Sequence, residues 1–138
     1  MLKATVHDQE GSEDAKFILT SLAAYNAKTG GRVNWREVTI TLKDDQGKIV
    51  AGLNGSSDLG WLFIRLLWVD DAFHGQGLGG QLLELVEKEA VKRGCKNLWI
   101  DTFNPVALKL YQKHGFKIFG ELENYPKPRK RIFLQKQI

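Results

Sequence analysis

The sequence predicts a mixed α/β fold, a central mixed β-sheet of about seven strands with helices on both faces. Three observations carry this reading. An early pair of alternating segments forms a hairpin, a nine-residue apolar run follows it, and two amphipathic helical stretches then flank a short strand. With 138 residues, 43% of them hydrophobic and 26% charged, the chain suits one core, so residues 1–138 are expected to form a single domain.

The elements follow in order. Leu2 to His7 has the alternation of a first short strand. Ser12 can cap a helix whose apolar positions Phe17, Ile18, Leu22 and Tyr25 recur at three- and four-residue spacing before Gly30-Gly31 stops it. Val38, Ile40 and Leu42 alternate with polar residues, and Ile49, Ala51 and Leu53 do so again after a turn containing Gly47. Trp61 to Val69 is apolar apart from Arg65, as in a central strand covered on both sides. Leu82, Leu85, Val86 and Ala90 mark one face of the next helix, which Gly94 ends. Leu98 to Ile100 is a strand, and Asn104-Pro105 opens a helix on which Ala107, Leu110, Tyr111 and His114 share a face before Gly115. Phe116 to Phe119 and Arg131 to Lys136 close the sheet.

Composition narrows the function. The apolar run is about half of the ~20 residues that span a bilayer, so no transmembrane segment is expected. The first residues lack the pattern of a signal peptide, and the lone Cys95 cannot form an intrachain disulfide, so a cytoplasmic setting is expected. The net charge of +4 suits an anionic partner. The run Lys127 to Arg131 reads as a solvated loop, with nucleic-acid binding the lesser alternative. No cluster suggests a metal site.

Between the central strand and its helix lies His74-Gly75-Gln76-Gly77-Leu78-Gly79-Gly80. Glycines let the backbone approach an anion closely and present free N–H groups at a helix N-terminus, which is the physical requirement of a phosphate site. Gly75, Gly77 and Gly80 also fit the spacing of a dinucleotide-binding turn. In that turn the first glycine follows the strand almost at once, whereas five residues separate Val69 from Gly75.

A different family has more parts in common. The stretch Leu66 to Gly79 resembles the strand, connector and phosphate loop of the GNAT family of N-acetyltransferases, with His74 where the family usually carries Arg or Gln. Asn104, Ala107, Leu110-Tyr111 and Gly115-Phe116 resemble that family's second signature. The resemblance runs from the hairpin near Arg36 to the last strand. It implies a GNAT-like sheet splayed between its fourth and fifth strands, here Trp61 to Val69 and Leu98 to Ile100. It also implies transfer of acetyl from acetyl-CoA to a primary amine by direct attack in a ternary complex, and it allows a homodimer. A non-catalytic acyl-CoA-binding module of the same fold is the alternative.

The implied roles fall on particular residues. His74, Gly75, Gln76, Gly77, Leu78, Gly79 and Gly80 would hold the CoA phosphates, Leu67, Trp68 and Val69 would lie along the pantetheine arm, and Asn104 would bond that arm. Tyr111 matches the general acid that protonates the leaving thiolate. Tyr25, Asn26, Trp35 and Tyr125 fall where the family places acceptor walls. A lysine-like acceptor of pKa ~10.4 must shed a proton, a cost of about 4.6 kcal/mol at pH 7, and Asp101 is the nearest candidate base. Arg65, a charge within an apolar strand, calls either for a protein carboxylate or for an anionic group on the acceptor.

Overall fold

The computed structural model describes residues 1–30 and 34–138, which divide into two units, Met1–Val33 and Asn34–Ile138. In the first, helix α1 (Glu13–Thr29) starts where expected: the Ser12 hydroxyl accepts from the Ala15 N–H, and Gly30 ends the helix at φ 125°. Gly31 lies outside the described residues. Leu2 to His7 forms no strand, because its unit offers no second strand and a lone strand leaves its backbone unpaired. The sheet therefore has six strands where seven were expected.

The second unit holds β1 (Arg36–Lys43), β2 (Ile49–Asp58), β3 (Trp61–Val69), α2 (Leu78–Lys92), β4 (Asn97–Thr102), α3 (Pro105–Lys113), β5 (Lys117–Leu122) and β6 (Arg131–Gln137). The strands lie in the order β1-β2-β3-β4-β6-β5, with β3 and β4 parallel and the other pairs antiparallel. Asp44 shapes the β1–β2 turn by accepting the N–H groups of Gln46 and Lys48, both at 2.9 Å.

The core forms where alternate strand residues meet the helices. Val38, Leu53, Leu62, Ile64, Leu98, Ile100 and Leu134 pack with Leu82, Leu83, Val86 and Ala90 of α2 and with Tyr111 of α3. Leu83 joins the face read from the sequence, and each fully buried aliphatic side chain contributes about 1.5–3 kcal/mol. Helices on both faces were expected; within this unit α2 and α3 share one face, and α1 belongs to the other unit. They touch closely: a Cβ at Gly79 would stand 2.8 Å from Leu110 Cδ2, and one at Gly80 would stand 2.7 Å from His114 Nε2.

The central strand departs from its sequence reading in an informative way. Asn54 pairs with Leu66 and Gly55 with Ile64, so Arg65 is an extra residue in β3, a β-bulge. The bulge reverses the phase of the strand. Before it, Leu62 and Ile64 point into the core; after it, Leu67 and Val69 do so, while Leu66 and Trp68 are more than half exposed. The strand thus reads as apolar throughout because two alternating patterns are joined out of phase, and not because both faces are covered.

Pairing of β3 with β4 runs from Trp61↔Asn97 to Ile64↔Ile100 and ends at the bulge. Beyond it, β3 continues to Val69 and β4 to Thr102 without pairing with each other, which is the splay expected between those two strands. The fork opens at the C-terminal ends of parallel strands, where open α/β sheets bind ligands.

Candidate functional site

The mouth of the fork lies beside the N-terminus of α2. From Val69 the chain enters a short 3-10 turn (Asp71–Phe73) capped by Asp70, whose carboxylate accepts the Ala72 N–H at 2.9 Å. The His74 imidazole turns back on this connector, its Nε2 2.9 Å from the Val69 carbonyl and 3.6 Å from Asp71 Oδ1. Facing a carbonyl, that nitrogen is the donor. His74 therefore fixes the connector directly, in addition to any contact with a ligand.

The glycines divide into two pairs. Gly75 and Gly77 have φ of 79° and 77°, in the left-handed region, and set the loop. Gly79 and Gly80 are buried and small because α3 packs against them. Gly77 caps α2 without any side-chain hydrogen bond, and the first turn holds no acidic residue. The N–H groups of Leu78, Gly79 and Gly80 precede the first donor of the helix, Gln81, whose N–H bonds the Gly77 carbonyl at 3.0 Å, and among the described residues they stand free for an anion, with Gln76 exposed beside them.

Along the fork, the edge of Leu67, Trp68 and Val69 that faces β4 has no strand partner, so a ligand can supply one. At the other wall Asn104 caps α3: its Oδ1 accepts the Val106 N–H at 2.9 Å, and its amide nitrogen has no hydrogen-bond partner among the described residues. Thr102 Oγ1 steadies it by accepting the Asn104 N–H at 3.0 Å. A cavity of about 270 Å3 opens there between Phe103, Asn104 and Leu108 on one side and Pro128 and Arg129 on the other.

Tyr111 is buried, and its hydroxyl has no hydrogen-bond partner among the described residues. Burial pushes the phenol up to about 12, and the nearby Asp101 carboxylate pushes the same way. Asp101 caps no helix. Its Oδ1 accepts from Arg131 Nε at 2.9 Å, and Arg131 also donates to the Tyr125 hydroxyl at 2.9 Å while lying over the Tyr125 and Phe133 rings. Arg131 escapes sequence reading because only the register of β4 against β6, Asp101↔Phe133, brings it diagonally beside Asp101.

Arg65 finds no carboxylate. Its Nη2 donates to Asn54 Oδ1 at 2.6 Å, and no acidic group lies within ion-pair distance among the described residues. It lines a second cavity, about 370 Å3, with Trp35, Glu37, Asn54, Ser56 and Phe63. Tyr25 and Asn26 lie on α1, in the first unit, and are described there alone. Cys95 is buried, and burial raises its thiol against the lowering effect of Arg93, so it is unsuited to nucleophilic attack. Among the described residues no group of three or more His, Cys, Asp or Glu is placed to hold a metal, and no helix is long and apolar enough to cross a membrane.

The chain is similar to several known acetyltransferases. It is 41% identical over 115 residues, 83% of this chain and 84% of the relative, to an acetyltransferase of Agrobacterium fabrum. It is 33% identical over 67 residues, 46% of this chain and 44% of the relative, to the spermine/spermidine N(1)-acetyltransferase of Bacillus subtilis. A crystal structure of an acetyltransferase from Bacillus cereus aligns over 96% of this chain and 98% of that one, with a TM-score of 0.85 and 30% identity. An acetyl-CoA-bound acetyltransferase from Elizabethkingia anophelis shares the fold at a TM-score of 0.65 and 24% identity, over 94% and 85% of the two chains. The model of the acetyltransferase (GNAT) family matches residues 9–116. With the forked sheet and the free N-terminus of α2 already pointing that way, the match establishes that the chain belongs to the GNAT family of acetyltransferases.

Proposed function

We propose that this acetyltransferase moves acetyl from acetyl-CoA to a primary amine by direct attack, with both substrates bound at once. The observation that carries the reading is the uncapped, glycine-built N-terminus of α2 beside the mouth of the fork. Acetyl-CoA, when bound, supplies an acetyl group activated as a thioester. The free N–H groups of Leu78, Gly79 and Gly80 hold the pyrophosphate, and the unpaired edge of β3 holds the arm as an added strand. A backbone N–H of that edge aimed at the thioester carbonyl is worth about 2.7–4 kcal/mol to the transition state. Asn104 contributes its free amide N–H.

Tyr111 donates its phenolic proton toward the leaving sulfur. With its pKa raised to about 12 the phenol is fully protonated at working pH, yet it holds that proton more tightly than an ordinary thiol of about 8.5. Hydrogen-bond donation is therefore its main contribution, and complete transfer follows only where the sulfur carries charge. Asp101, with Oδ1 held by Arg131, presents Oδ2 as acceptor for the proton of the amine. The buried thiol of Cys95 argues against a covalent acetyl-enzyme, and a lone reduced cysteine suits a cytoplasmic enzyme.

Calorimetry against acetyl-CoA, CoA and NAD tests the binding half: acetyl-CoA and CoA should bind, and NAD should bind more weakly than either. Release of free thiol from acetyl-CoA in the presence of a panel of primary amines tests the transfer. Tighter binding of NAD, or no binding of CoA, overturns the reading.

A further inference from the structure

We propose that the acceptor amine carries a carboxylate, and that Arg65 binds it. The inference rests on the acetyltransferase reading and adds the class of acceptor. Ile64 and Ile100 are the last paired residues of β3 and β4, so Arg65 and Asp101 are the first residues on the two prongs of the fork. Opposite charges at matched positions would be expected to pair, but Asp101 gives its Oδ1 to Arg131. Arg65 is left with one neutral partner, the Asn54 amide oxygen.

The surroundings hold the guanidinium in place without neutralising it. Asn54 is itself fixed, its amide nitrogen donating to Thr39 Oγ1 at 2.9 Å and to Glu37 Oε1 and the Val38 carbonyl at 3.3 Å. Its oxygen must face Arg65, since only an acceptor suits a guanidinium. One of five guanidinium N–H groups is thus committed, and the remaining fork matches the two oxygens of a carboxylate. The cavity that Arg65 lines lies on the face of the sheet opposite α2: Glu37, Asn54 and Phe63 alternate with the core residues Val38, Leu53, Leu62 and Ile64. An acceptor held there reaches the fork from the face that α2 leaves free, while the phosphates are held at the N-terminus of α2.

Charge points the same way. Arg131 and Asp101 offset one another, and Glu37 in the cavity wall stands across Asn54 from Arg65, so the site carries no net negative charge to draw in a polycation, while Arg65 has no direct ion pair among the described residues and suits an acceptor carboxylate. Glu37, on the far side of the Asn54 amide from Arg65, opposes a second anionic group and limits the acceptor to one.

The test pairs each of a set of L-amino acids with the amine made by decarboxylating it and compares kcat/KM for acetylation at saturating acetyl-CoA. A lost charge-assisted hydrogen bond to a carboxylate corresponds to about ten- to hundredfold, so the best carboxylated acceptor should exceed its decarboxylated partner by at least about tenfold. Arg65→Gln should abolish that ratio and Arg65→Lys should reduce it, with melting temperatures confirming that both variants are folded. Equal or better use of the decarboxylated amines, acetylation of no carboxylated member, or a ratio unchanged in folded Arg65→Gln each overturns the proposal. Failure of acetyl-CoA to bind in calorimetry would instead strike the acetyltransferase reading itself.

Discussion

Tyr111 shows how one side chain can serve the fold and the reaction through different atoms. Its ring fills the core, and its hydroxyl, near Asp101, has no hydrogen-bond partner among the described residues. Tyr111→Phe keeps the ring, so kcat should fall by roughly 10²-fold, the low end of general acid catalysis, because the phenol is a reluctant acid. Acetyl-CoA affinity should hold. Stability responds at a different pH. An unfolded tyrosine ionises near 10 and the folded one near 12. Below pH 10 both states are protonated and nothing is lost; between 10 and 12 the unfolded chain releases its proton while the folded one keeps it, so stability falls. Two units correspond to about 2–3 kcal/mol. Melting curves from pH 8 to 12 should show Tyr111→Phe losing less stability than the natural chain above pH 10. Parallel curves would mean that the phenol ionises alike in both states.

At the scale of the element, the glycine loop separates into parts that single substitutions can distinguish. Gly79→Ala and Gly80→Ala put a methyl group against the side chains of Leu110 and His114, so those side chains, or α3 with them, must shift. Overpacking of this kind costs about 1–3 kcal/mol, and the melting temperature should drop several degrees. Gly75→Ala and Gly77→Ala meet no atom within 4 Å but must hold φ near 78°. That backbone strain costs about 1–2 kcal/mol. Relief of the strain by refolding of the loop would lower CoA affinity more than it lowers melting. Equal loss of affinity per degree of melting in both pairs would argue against this division. The β3 bulge is the second deciding element, since it sets both the phase of the strand and the point where pairing with β4 stops.

At the scale of the molecule, every residue of the described hydrophobic core lies within Asn34–Ile138. A chain cut to residues 34–138 should therefore melt cooperatively, within a few degrees of the full chain. A broad transition or loss of the near-ultraviolet signal would show that the first unit contributes to the core. The basic run Lys127 to Arg131 is less charged in effect than its composition: Lys130 meets Glu121 at 3.3 Å and Glu123 at 3.4 Å, and Arg131 is committed to Asp101. Two of its four cations are thus balanced within the fold, which supports the reading of a solvated loop.

Local chemistry made much of the fold legible. Caps at Ser12 and Asn104, glycine stops at Gly30 and Gly115, and periodicity in α2 and α3 act within a few residues, so the sequence alone determined these elements, along with the anion-ready loop before α2. Whatever depends on partners distant in the chain needed the tertiary structure. Leu2 to His7 had the alternation of a strand and no neighbour, whereas Arg65 stood out as a misplaced charge until the register against β2 made it a bulge. The pairing of Asp101 with Arg131, 30 residues on, was likewise set by strand register. Sequence spacing reports which groups are present; only packing decides which charges neutralise one another, and here, among the described residues, it leaves Arg65 at the fork without an ion pair.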